Sequence, residues 1–70
     1  MLSSKNLVPG YSFKMLDGIG DIKYFATFVV EKIIFDEDQV SLRKLKTGEL
    51  ITVPRMLAIV AGYDKTPRKK

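Results

Sequence analysis

Tyr24-Phe25-Ala26-Thr27-Phe28-Val29-Val30-Glu31-Lys32-Ile33-Ile34-Phe35 is a run of aromatic and β-branched residues, broken only by Ala26 and the charged pair Glu31-Lys32. Such side chains are poor helix formers and pack well on a pleated surface, so the stretch reads as one long strand. Apolar residues fall on both of its faces. A strand that bends within a curled sheet accounts for this, with Glu31-Lys32 marking a β-bulge where the inward face changes register. The expected inward residues are Ala26, Phe28, Val30 and Ile33. The apolar run is far too short to span a bilayer as a helix.

Working outward from this strand, turn chemistry divides the chain. On its N-terminal side, Asp17-Gly18-Ile19-Gly20-Asp21 reads as a loop, because Gly and Asp favour turn conformations. Before it, Tyr11-Ser12-Phe13-Lys14-Met15 alternates as a half-buried strand. Leu7-Val8 leads into the turn signal Pro9-Gly10. On the C-terminal side, Asp36-Glu37-Asp38 is an acidic turn, and Gln39-Val40-Ser41-Leu42-Arg43 alternates with Val40 and Leu42 inward. Lys46-Thr47-Gly48-Glu49 is a second hairpin turn. Leu50-Ile51-Thr52-Val53 is the fourth strand, ended by Pro54, which cannot donate to a ladder. Pro54-Arg55-Met56-Leu57 fits one helical turn, Ala58-Ile59-Val60-Ala61 a short last strand, and Gly62-Tyr63-Asp64 closes it. Residues 1–6 are expected to be a mobile N-terminus, 7–64 the domain, and 65–70 a basic disordered tail.

The expected fold class is all-β: a small five-stranded antiparallel SH3-like barrel with one short helical turn before the last strand. Three segments carry the resemblance to SH3-like barrels of the Tudor and KOW type. They are Leu7-Val8-Pro9-Gly10-Tyr11-Ser12-Phe13, the hairpin pair 28–53 with Val40-Ser41-Leu42 facing Ile51-Thr52-Val53, and Val53-Pro54-Arg55-Met56-Leu57 before the last strand. The resemblance is one of element order across residues 7–63. It implies a binding module.

Composition narrows the function. In 70 residues, 46% hydrophobic content against 29% charged is that of a folded chain, near the size at which a core needs outside support. Self-association is one source of that support. The chain has no Cys and no His. A disulfide framework and an imidazole base are therefore excluded, and a cytoplasmic location is expected. Met1-Leu2-Ser3-Ser4-Lys5-Asn6 has no apolar region of signal-peptide type. No cofactor, metal, membrane partner or catalytic site is expected. Ser12, Ser41 and Thr52 have no imidazole or thiol to activate them.

The net charge of +4 points to an acidic partner such as nucleic acid, although Arg68, Lys69 and Lys70 supply much of it. Lys32, Arg43, Lys46 and Arg55, with Lys44 beside them, are the candidate nucleic-acid-binding residues; Lys32 and Arg43 are expected near cross-strand positions on one phosphate track. Tyr11, Tyr24, Phe25, Phe35 and Tyr63 are the aromatic candidates, weighed against the dominance of aromatics in small cores. Phe25, Ile33 and Phe35 are expected to crowd one region as a partner-binding or homodimer surface. Asp17 and Asp21 offer too few ligands for a calcium loop. The expected function is a small non-enzymatic module that binds nucleic acid through a basic strand face. The alternative is a protein–protein adaptor or assembly subunit, of the kind found among viral or mobile-element accessory proteins, using an apolar outer face or an edge strand.

Overall fold

The computed structural model describes residues 2–19 and 21–63. It is mostly β, with five antiparallel strands in one sheet and a short helix before the last strand. The strands are β1 (Ser12–Ile19), β2 (Ile22–Ile34), β3 (Gln39–Lys44), β4 (Leu50–Pro54) and β5 (Gly62–Tyr63), and α1 spans Arg55–Ala61. Their order in the sheet is β4-β3-β2-β1-β5. No helix among the described residues is long and apolar enough to cross a membrane.

One face of the sheet is the core. Phe13 and Met15 of β1, Ala26, Phe28 and Val30 of β2, and Val40 and Leu42 of β3 are all buried on it. Register explains the set: Phe13 lies opposite Phe28, Met15 opposite Ala26, and Val30 opposite Leu42. The Phe13 and Phe28 rings stack at 6.3 Å, and Tyr11 stacks on Phe13 at 6.0 Å. The pairing of β2 with β3 shifts register between Val30 and Lys32, so the expected bulge is present, with Glu31 as the extra residue. Beyond it Ile33 pairs with Val40 and packs, half-buried, against the core.

Turns fall where their residues demand. The Tyr11 N–H donates to the Val8 carbonyl at 3.0 Å, closing a turn with Pro9 second and Gly10 third. Gly10 has φ +95, the left-handed value that a type II turn requires at that place. Across the β3–β4 hairpin, Val40, Ser41 and Leu42 face Val53, Thr52 and Ile51.

Four expectations change. First, 17–19 is strand and not loop, and Gly20 lies outside the described residues. β1 runs on to Ile19 and β2 begins at Ile22, because Leu16 pairs with Phe25 and Asp17 with Tyr24. Second, 58–61 is helix rather than strand. The good helix formers Met56, Leu57 and Ala58 carry α1 through Ile59 and Val60 despite their β-branching, and tertiary packing rewards this. Ala58 is fully buried, and α1 packs against β1, β3, β4 and β5. Third, the N-terminal segment is folded onto the domain. Leu2 is buried in the core, its N–H donates to the Ile59 carbonyl at 2.9 Å, and Ser4–Asn6 form a 3₁₀ turn. Fourth, the strand expected from Tyr11 starts at Ser12. The basic tail lies outside the described residues.

Candidate nucleic-acid interface

The seven nucleic-acid- and partner-binding residues expected from the sequence fall in three places. Lys32, Ile33, Phe35 and Arg55 line a groove of ≈ 500 Å³ together with Leu7, Val8 and Pro9. Phe25 and Lys46 line a separate cleft of ≈ 290 Å³ with Tyr24, Ala26, Thr27 and Leu45. Arg43 lies on the outer face of β3, opposite Val29. Phe25 therefore does not crowd with Ile33 and Phe35. Eight residues of extended strand, roughly 26 Å, separate Phe25 from Ile33. Nor are Lys32 and Arg43 neighbours across strands, since the bulge sets Lys32 opposite Ser41.

The outer face of the β1–β2 hairpin is built by register. Side chains alternate along each strand, so Lys14 and Leu16 of β1 share the outward face with Lys23, Phe25 and Thr27 of β2. Leu16 and Phe25 are directly opposite, and both are exposed. Lys14 lies opposite Thr27 on one side and Tyr63 of β5 on the other. Its Nζ donates to Thr27 Oγ1 at 2.6 Å, which fixes the ammonium beside the aromatic pair. The Phe25 and Tyr63 rings meet edge to face, with centroids 5.6 Å apart. The outward positions of β1, and of β2 before its bulge, carry no carboxylate among the described residues.

Ion pairing separates the cations further. Arg43 Nε donates to Glu31 Oε2 at 2.6 Å, and Arg55 Nε to Asp38 Oδ1 at 2.9 Å. Lys44 pairs with Asp17, which also accepts from the Tyr24 hydroxyl at 3.3 Å. The hydrogen bond from Arg43 holds the Glu31 carboxyl below its usual range and raises the guanidinium. The bond to Asp17 likewise raises Lys44. Lys14, Lys23 and Lys46 have no carboxylate partner among the described residues. The outer face is therefore positive, with aromatic residues between its lysines.

The groove differs. Phe35 is 83% exposed at its rim, but exposed Asp36 and Glu37 follow it directly and Arg55 is already held by Asp38. One of its two lining cations is thus neutralised, which weakens it as a phosphate track.

The chain matches no protein-family model, no curated protein and no solved structure.

Lys14, Lys23 and Leu16 were not singled out from the sequence. The signal for them was the alternation itself. Once β1 continues through Leu16 and Asp17, Lys14 and Leu16 must share a face with Phe25 and Thr27.

Proposed function

We propose that this protein is a small non-enzymatic binding module that holds nucleic acid on the outer face of its β1–β2 hairpin. The observation that carries the reading is the placement of Lys14, Lys23 and Lys46, none of them paired to a carboxylate among the described residues, around the Phe25–Tyr63 aromatic pair. Cations interleaved with aromatic faces give phosphate contact and base stacking together. The strand order β4-β3-β2-β1-β5, with a helix just before β5, supports an SH3-like barrel as the scaffold. A chain without Cys suits the cytoplasm.

The test is a fluorescence-anisotropy titration of a labelled mixed-sequence oligonucleotide over a series of salt concentrations. Lys23→Glu with Lys46→Glu should weaken binding and lower the slope of log affinity against log salt by about one per lost contact. Lys32→Glu, in the groove, should have less effect. No binding at low salt, or binding indifferent to the double reversal in a folded variant, would overturn the reading.

A second reading concerns the groove. The exposed Phe35 ring, apolar Leu7, Val8 and Ile33, and an Arg55 already paired with Asp38 favour a protein segment there over a polyanion. The two surfaces are compatible in one adaptor.

A further inference from the structure

The free edge of β2 beside Phe25 adds a feature that phosphate binding alone does not use. β3 pairs with β2 only from Phe28 to Ile34, so residues 22–26 have no strand on that side among the described residues. The chain leaves the sheet after Lys44, and its last backbone bond to β2 runs from the Leu45 N–H to the Thr27 carbonyl at 2.9 Å. Backbone direction alternates along a strand, so the N–H and C=O of Phe25 point the same way as those of Thr27, into the space β3 has vacated. The opposite alternation agrees: Val30, an even residue, donates toward β1 at the Tyr11 carbonyl. That vacated space is the ≈ 290 Å³ cleft lined by Tyr24, Phe25, Thr27, Leu45 and Lys46.

We infer that this cleft takes one unstacked base of a single-stranded nucleic acid, stacked on Phe25 and hydrogen-bonded by the Phe25 backbone, with Lys46 on the adjoining phosphate. The inference rests on the nucleic-acid reading above and names the form of the ligand. Three features converge on it. Phe25 supplies an aromatic face at the cleft wall. Its N–H and C=O supply one donor and one acceptor side by side, the complement of a base edge. Lys46 supplies a positive charge at the rim with no carboxylate partner among the described residues. A duplex keeps its bases stacked and paired inside, so it can reach the lysines but not the cleft. A backbone donor–acceptor pair with an aromatic wall also tolerates many bases, so weak sequence preference follows.

The experiment compares fluorescein-labelled oligo(dT) with its duplex on oligo(dA) at one fixed salt concentration, on the intact chain, and follows Phe25 amide exchange by NMR. The single strand should bind more tightly. Phe25→Leu, which keeps apolar bulk without a ring, should weaken single-strand binding roughly 5- to 150-fold, the range carried by one base–aromatic stack, and weaken duplex binding far less. Phe25→Trp should retain it, which separates stacking from misfolding. The Phe25 amide, fast-exchanging in the free protein, should be protected by oligo(dT) and not by the duplex. Equal affinity for both forms, with Phe25→Leu inert and the amide unprotected, would overturn this inference and leave the phosphate reading standing. Absence of binding to either form at low salt would overturn the phosphate reading, and this one with it.

Discussion

Arg43 Nε lies 2.6 Å from Glu31 Oε2, and Glu31 is the residue that the bulge in β2 leaves without a partner on β3. The bulge turns that carboxylate toward the outer face at the one place where it neutralises an arginine. Glu31→Gln should therefore release a cation beside the basic face. Nucleic-acid affinity should rise, and its salt slope should steepen by about one. Because the pair is exposed, the melting temperature should move little. Unchanged affinity in a variant with the wild-type melting temperature would place Arg43 outside the interface.

Leu42 is wholly buried, opposite Val30 and Ile51. Truncation there removes contacts to both neighbouring strands, and a small sheet cannot collapse into the space. Leu42→Ala should cost about 2–5 kcal/mol, a large part of the ~5–15 kcal/mol that domains typically have. Urea denaturation measures it. A loss below ~1 kcal/mol would mean that this site relaxes far more than buried leucines usually do.

Much of this core was legible from alternation. Phe28, Val30, Val40 and Leu42 announce their face by period two, and Glu31-Lys32 announces the bulge. The outer site was less legible, for two physical reasons. Gly and Asp at 17–21 carry a turn signal stronger than the strand signal of Leu16, so the outward continuation of β1 was hidden. Which lysines are neutralised depends on partners such as Glu31, Asp38 and Asp17, and those pairings follow from three-dimensional register. The helix at 58–61 was obscured because Ile59 and Val60 have strand propensity, while Ala58 earns its place through packing against the sheet.

Gly62 and Gly48 are glycines for different reasons, and substitution separates them. At Gly62 the backbone is ordinary extended chain, yet an added Cβ would sit 2.6 Å from the Ala58 carbonyl oxygen and 2.7 Å from Leu2 Cδ1. At Gly48 there is open space, but φ is +80. Gly62→Ala should cost about 1–3 kcal/mol through overpacking. Gly48→Ala should cost about 1–2 kcal/mol through backbone strain. Asn accepts left-handed φ, so Gly48→Asn should recover most of the loss, whereas Gly62→Asn should be worse than alanine. Thermal melts of the four variants decide it. A mild Gly62→Asn would contradict the close approach of α1, Leu2 and β5.

Lys44 ends β3 on the core side of the sheet, where it pairs with Asp17 while Tyr24 donates to the same carboxylate. The bond to Asp17 raises the lysine above its ordinary value. A raised cationic group stabilises the fold fully below its unfolded pKa, ~10.4 for lysine, and that contribution fades as pH rises through the higher folded value. Lys44→Gln should therefore be less stable than wild type by a constant margin through neutral pH. The margin should narrow only in the alkaline range, once the wild-type lysine also loses its proton. Urea midpoints for both proteins, measured side by side from neutral to alkaline pH, give the margin directly. A margin that stays unchanged through the alkaline range would mean that Lys44 stabilises the domain by packing of its alkyl stem and not by its charge on Asp17.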